Sequence, residues 1–461
     1  MIARSRSFQR NAARAVATVF ASALIACAGP RAAVSPGASG GIKVSAGTTA
    51  SGGVTASGGA VAIPAADRAR LTAVKGRLSK LASEVMQFWR TKGPDPVNGG
   101  FYGNLDRLGS PSTPTDKGLI QQSRHLWSFS NWYEKVEPTP AVKAIADGAY
   151  RFLIDHMLDA PSGQFQFKVS ASGSVMDASK ILYAEGFAIY GLSTYGRVFS
   201  VPEATSHAMK TFQAIDVRHD AKYLGYDEHN DSGWLASGSQ KSTNTHIHLM
   251  EAFTALYQAT QDSVVKARLS ELVDVTMNKI LQKSPVYCAQ EFLNDWTVNG
   301  SPLVSYGHDL ETAWLLEEAA RVLGRGNEPA VRDAMLAMGQ AAAASGFDLS
   351  GGGYFENGVP GGAPASTDKI WWVESEALSG LLWMYRLTGN TTQLDRLEST
   401  LTFIEDHQRD NANPGTEWFF GLTAQNAVNS RGDHKGEEWK ASYHSSRALT
   451  FTAAWIDELL K

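Results

Sequence analysis

Residues 306–346 read YGHDLETAWLLEEAARVLGRGNEPAVRDAMLAMGQAAAASG. Apolar residues recur at helical spacing on both sides of Gly324-Arg-Gly-Asn-Glu-Pro329, which predicts one helix over 306–325 and a second over 328–346. So short a link leaves the two helices as antiparallel neighbours. The same grammar recurs at Val136-Glu-Pro-Thr-Pro140 and at Thr388-Gly-Asn-Thr-Thr392. Working outward in both directions gives ten further helical segments, over 65–92, 116–136, 139–158, 178–198, 202–218, 242–261, 263–283, 369–389, 391–409 and 440–460.

Twelve helices pair as six hairpins, so the fold class is all-α. The connections into the even-numbered helices are longer and carry glycine turns with aromatics, as in Gly99-Gly-Phe-Tyr-Gly103, Leu224-Gly-Tyr-Asp-Glu228 and Gly351-Gly-Gly-Tyr-Phe355. Long aromatic loops on one side mark that side as the functional face. Six hairpins with function gathered at one end favour a closed double ring of helices. An open solenoid would show a clearer fixed repeat and specialised end caps.

The N-terminal part has a different character. Arg4, Arg6, Arg10 and Arg14 precede an apolar run from Ala15 to Ala26, which reads as a secretory signal. Its ending, Leu24-Ile-Ala-Cys27, resembles a bacterial lipobox, in which Cys27 is acylated and becomes the mature N-terminus; a plain cleavage near Ala21-Ser-Ala23 is the other reading. Residues 1–27 are therefore assigned to a lipoprotein-type signal, 28–64 to a flexible Gly/Ala/Ser-rich tether and 65–461 to the helical domain. This organisation places the protein on the periplasmic face of a bacterial membrane, touching it only through the lipid anchor. The other cysteine, Cys288, reads as a small core residue, with no disulfide expected. A net charge of −4 and the lack of a basic stripe beyond the first fourteen residues argue against a nucleic-acid partner.

His248, His308 and His444 each stand near the start of an even-numbered helix, so a closed ring would bring all three to one pocket. Neutral imidazoles beside tryptophans suit proton transfer on a sugar. His246 is two residues before His248 and points about 160° away on a helix, so the His-x-His pair cannot share a metal. Neither His-Glu-x-x-His nor a cysteine cluster revives a zinc site, and His246 reads as a hydrogen-bonded structural residue. Asn244 shares the face of His248.

His308 and Glu311 lie three apart, either as base and orienter or as a helix-start network. Trp372 and Glu376 lie four apart, with Trp371 facing a neighbouring direction; one indole is a sugar platform, or the tryptophans are core. Arg124 lies on an aromatic face in the second helix, where it stabilises an oxyanion or sits in a buried ion pair. Arg447, in the last helix, is open to a surface reading as well. The absence of Gly-x-Gly-x-x-Gly, a phosphate loop and Gly-x-Ser-x-Gly leaves nucleotide-cofactor and serine-hydrolase chemistry without support.

Six segments in order, over roughly residues 80–460, resemble the N-acylglucosamine 2-epimerase superfamily and within it the cellobiose 2-epimerases. They are Gly99-Gly-Phe-Tyr-Gly103, Arg124-His-Leu-Trp-Ser-Phe129, Asn244-Thr-His-Ile-His248, Ser305-Tyr-Gly-His308-Asp-Leu-Glu311, Trp371-Trp372 with Glu376, and Trp439 followed by Tyr443-His444 and Arg447. The resemblance implies an (α/α)6 barrel of six helical hairpins, with no metal or redox cofactor.

It also implies that His308 and His444 are the acid/base pair on opposite sides of a sugar C2, and that His248 and Asn244 hold the C1 and C2 oxygens. Arg124 would stabilise an enediolate and Trp372 would stack on the reducing-end sugar. Trp371, Tyr183, Glu311 and Glu376 would bind or orient, and Trp439 would form an outer subsite. The implied partner is a small carbohydrate, a β-1,4-linked disaccharide, bound by a monomer or weak homodimer. An aldose-ketose isomerase on mannose is the nearest rival; a glycoside hydrolase using Glu311 and Glu376, or a sugar-binding lipoprotein without turnover, stands further off. The chain departs from the family pattern with Glu374 and Glu185 where glutamine is common, and with Ala441-Ser442 before Tyr443. Added carboxylates near the pocket would bear on which sugar is preferred.

Overall fold

The computed structural model describes residues 63–228 and 235–461, and the helical unit spans Ile63–Lys461. The signal, Cys27 and nearly all of the tether lie outside the described residues. Among these residues are twelve α-helices: α1 Ala65–Lys92, α2 Leu119–Lys135, α3 Pro140–Phe152, α4 Leu182–Phe199, α5 Pro202–Asp216, α6 Thr243–Thr260, α7 Ser263–Val275, α8 Tyr306–Val322, α9 Pro329–Gly346, α10 Trp371–Thr388, α11 Thr391–Phe403 and α12 Tyr443–Leu460. No helix among them is long and apolar enough to cross a membrane.

The short links work through local chemistry. Gly389 closes α10 in the left-handed region (φ 66°), and the Asn390 side chain immediately caps α11. Proline opens α3, α5 and α9, where a missing N–H costs nothing.

Packing closes two rings. The even helices touch in the cycle α2, α4, α6, α8, α10, α12 and back to α2, while each odd helix lies outside, against the even helix before it; α1 packs on α12 and completes the outer ring. The inner helices are correspondingly buried on all sides, α4 without interruption from Leu182 to Gly196. The sequence places the starts of α2, α4 and α12 three to four residues early, where a short strand (ahead of α2) or irregular backbone (178–181 and 440–442) leads into the helix. The strand, Lys117–Gly118, pairs with Lys168–Val169. The spans drawn to 158, 283 and 409 cover a π-helical turn after α3, α7 and α11, at Leu153–Met157, Thr276–Ile280 and Ile404–Gln408.

A repeat absent from the sequence reading fastens the loops to the inner ring. Two residues ahead of α2, α4, α6 and α10 stand Lys117, Lys180, Lys241 and Lys369. Each reaches back to an aspartate beyond the preceding outer helix: Asp95 (2.9 Å), Asp159 (3.3 Å), Asp220 (2.9 Å) and Asp348 (2.7 Å). The fourth residue of five inner helices then accepts a hydrogen bond from a loop backbone N–H. Gln122 takes Phe101 (2.8 Å), Glu185 Phe165 (3.0 Å), His246 Tyr226 (2.9 Å), Asp309 Cys288 (3.1 Å) and Glu374 Tyr354 (3.0 Å).

Burial disfavours the charged form of every titratable residue at this position. Burial holds the carboxyls of Glu185 and Glu374 up at about 8 and that of Asp309 at about 7, and brings the His246 imidazole down to about 3. His246 is thus the structural residue expected. Glu185 and Glu374 face loops, which corrects the expectation that they alter the sugar pocket.

The sign of the pH effect follows. The unfolded glutamates ionise near 4.5 while the folded ones keep their protons to about 8, so stability falls as pH rises through that window. The Glu185→Gln/Glu374→Gln protein should match the parent in urea at pH 5 and exceed it by about 1–3 kcal/mol at pH 8. Parallel stability at the two pH values would show that these carboxyls are not held neutral.

Candidate active site

The N-terminal turns of the six inner helices converge at the end of the barrel served by the long loops. They bring together Arg124 (α2), Tyr183 (α4), Asn244 and His248 (α6), His308 and Glu311 (α8), Trp371, Trp372 and Glu376 (α10), and His444 (α12), with Trp439 on the loop before α12.

Beneath this site lies Arg447, one turn after His444 and fully buried. Its guanidinium pairs with Glu251, Glu311 and, at 2.7 Å, Glu376, and it stacks on the rings of Trp314 (4.7 Å) and Tyr443 (4.2 Å). Burial raises all three carboxyls, but Arg447 and the hydrogen bonds of His248 and Tyr443 bring Glu251 down to about 2. Glu311 stands at about 7, raised by burial and by the neighbouring Glu376. One cation shared by three carboxylates cannot hold all of them ionised equally. Glu311, Glu376 and His444 also have the spacing of metal ligands, with donor atoms within 4.8 Å of one another, but Arg447 supplies the positive charge between the two carboxylates.

Each histidine has its Nδ1 engaged from behind. His444 meets Glu376 Oε1 at 2.7 Å, His248 meets Glu251 Oε2 at 3.0 Å and His308 meets Gln290 Oε1 at 3.0 Å. These partners accept, so the proton sits on Nδ1 and the Nε2 lone pair is left for substrate. Burial pushes His308 down to about 3, assisted by His248; burial, then Arg124 and Arg447, pushes His444 well below its usual range. Burial therefore favours the neutral imidazole in both. The Trp372 ring lies between them, 4.8 Å from His308 and 5.9 Å from His444. Gly307 makes room for it, since a β-carbon there would lie 2.4 Å from the indole.

Arg124 is buried and donates to the Trp439 carbonyl (2.7 Å) and the Tyr183 hydroxyl (3.0 Å), with its guanidinium over Phe187 (4.3 Å). Among the described residues no carboxylate is in salt-bridge reach, which removes the ion-pair reading and leaves a cation available to a developing oxyanion. Tyr183 also stands edge-on to His248 at 5.3 Å. Asn244 is half-buried one turn before His248. Trp439 is half-buried, whereas Trp371 is buried against Phe420 (4.2 Å).

One expectation changes. Glu311 does not orient His308; it lies on Arg447, and Gln290 takes that place. Glu376 backs His444 while accepting from the Trp314 indole at 3.0 Å. The sequence reading missed Gln290, the hub role of Arg447, and Glu251 as the orienter of His248. Glu251 had a usable signal, its i+3 spacing from His248. Gln290 lies in a loop and has none.

Residues 100–448 match the sequence profile of N-acylglucosamine 2-epimerase (GlcNAc 2-epimerase). The chain is 34% identical over 379 residues to the cellobiose 2-epimerase of Bacteroides fragilis, covering 80% of this chain and 95% of that one. It is 30% identical over 387 residues to the cellobiose 2-epimerase of Dictyoglomus turgidum, covering 80% and 94%. The solved cellobiose 2-epimerase of Spirochaeta thermophila superposes with a TM-score of 0.77 at 30% identity, over 86% of this chain and all of that one. With this profile match, these relatives and an (α/α)6 barrel whose inner helices deliver the site, the chain belongs to the N-acylglucosamine 2-epimerase family.

Proposed function

We propose that the protein is a 2-epimerase acting at the reducing-end C2 of a β-1,4-linked disaccharide of the cellobiose or mannobiose type. The observation that carries this reading is the pair of neutral histidines on separate helices, His308 and His444, with Trp372 between them and Nε2 of each left for substrate. In the opened sugar, one imidazole takes the proton from C2, α to the aldehyde, and the electron pair passes onto the C1 oxygen to give an enediolate. The Arg124 guanidinium, with no carboxylate in salt-bridge reach among the described residues, stabilises that charge, with His248 and Asn244 holding the oxygens. The other histidine, which first takes up a proton at Nε2 from solvent, delivers it to the opposite face of C2 and returns to the neutral form, while the first sheds the proton it took, so the protonation of the pair alternates through the cycle. Glu311 and Glu376 are buried and paired with Arg447, which speaks against a hydrolytic role for them. Trp372 is the platform for the reducing-end sugar and Trp439 the wall of the outer one.

Turnover of cellobiose in deuterium oxide, followed by NMR, tests the reaction. The expected product is the epimeric disaccharide with deuterium at C2. A ketose as main product would replace this reading with aldose-ketose isomerisation, and free monosaccharide would replace it with hydrolysis. Export and lipid anchoring through Cys27 belong to the same proposal; a Cys27→Ala protein should leave the membrane fraction.

A further inference from the structure

Gln290 ends a chain of hydrogen bonds that runs from the core to the site. The Cys288 N–H donates to Asp309 Oδ1 (3.1 Å), the Cys288 carbonyl accepts from Gln290 Nε2 (2.8 Å), and Gln290 Oε1 meets His308 Nδ1 (3.0 Å). The Gln290 carbonyl also accepts from the N–H of Thr243 (2.9 Å), the first residue of α6. One residue is thereby fastened to both helices that carry His248 and His308. A carbonyl can only accept, so the Gln290 amide is fixed with its NH2 toward Cys288 and its oxygen toward His308. That oxygen also only accepts, which puts the imidazole proton on Nδ1.

We infer that Gln290 is a positioning residue for proton transfer at C2, holding His308 as the Nδ1–H tautomer against an uncharged partner so that this imidazole enters the cycle as a free base. The contrast within the site supports the role. His444 and His248 are backed by carboxylates, which favour the imidazolium, whereas His308 alone is backed by an amide. The titratable groups that bear on His308 are His248 from α6 and His444 from α12, both bases, and Trp372 from α10 packs on its ring. No carboxylate takes the place of Gln290. The inference rests on the acid/base pair proposed above.

The test uses Gln290→Glu and Gln290→Leu in the full chain, with pH profiles of kcat/KM for epimerisation of cellobiose. A carboxylate beside Nδ1 stabilises the imidazolium, so Gln290→Glu should move the acid limb upward by about 1–3 pH units while keeping activity on the alkaline side. Gln290→Leu releases the ring, and kcat should fall about 10–100-fold with KM within about twofold. A merely structural role would lower activity at every pH in both variants without moving the limb. An unmoved limb in folded Gln290→Glu overturns the inference, as does full kcat in Gln290→Leu; should the leucine protein fail to fold, the glutamate profile decides alone. His308→Ala separates the two levels. If that protein still epimerises, the acid/base reading itself fails; if it is inactive and the Gln290→Glu profile is unchanged, only the role of Gln290 fails.

Discussion

The His308→Ala and His444→Ala proteins each lose epimerisation by about 10²–10⁴-fold, the contribution of a positioned acid or base. Binding should survive, because Trp372, Trp439, Arg124 and Asn244 are untouched. The informative signal is hydrogen exchange rather than turnover. An enediolate is planar at C2, and each histidine serves one of its faces. A protein that keeps one base can still remove the proton on that side and return deuterium from solvent to the same face. It therefore labels one epimer without converting it. The two variants should label opposite epimers when cellobiose and its C2 epimer are each incubated in deuterium oxide and followed by NMR. Exchange of the same epimer by both, or wild-type turnover by either, would dismiss a two-base mechanism.

Arg447→Met should destabilise the protein by about 3–5 kcal/mol, the range for stripping a buried charge of its partner. The loss has a defined pH dependence. Arg447 holds Glu251 at about 2, below its usual 4.5, so the stability it confers is present above pH 4.5 and is lost as pH falls through 2. In the variant, Glu251, Glu311 and Glu376 can take up protons at moderate acidity, and the gap from wild type narrows. Urea unfolding at pH 7 and pH 5 measures this, with the larger difference at pH 7. Activity should fall as well, since Glu376 orients His444 and would no longer be fixed by Arg447. A difference under about 1 kcal/mol at pH 7 would show that the guanidinium is not the charge that holds this layer together.

The helices, their pairing and the gathering of the three histidines were legible because each depends on local signals. Periodicity, a proline in the first turn or a glycine at a helix end acts within a few residues. The start of α2 was misplaced where strand pairing with the distant Lys168–Val169 takes over. Arg447 illustrates a different limit. Its partners Glu311 and Glu251 are 136 and 196 residues away in the chain, and no spacing on α12 distinguishes such an arginine from a surface one. The family resemblance pointed to the residues gathered at the inner-helix starts, but Gln290 lies behind His308 and belongs to no motif. The loop-fastening repeat was present in the sequence as Lys117, Lys180 and Lys241, 63 and 61 residues apart. It is carried by one lysine and one acceptor whose type changes from glutamine to glutamate to histidine, so similarity of sequence does not reveal it.

The outer ring closes only when α1 meets α12, and α12 carries both His444 and Arg447. During synthesis, a chain that has emerged as far as α11 possesses five inner helices, the tryptophan platform and one base, but neither the second base nor the cation that neutralises Glu251, Glu311 and Glu376. Loss of α12 removes His444 and the charge partner of the three carboxylates together, so a truncation there is expected to cost fold and activity at once.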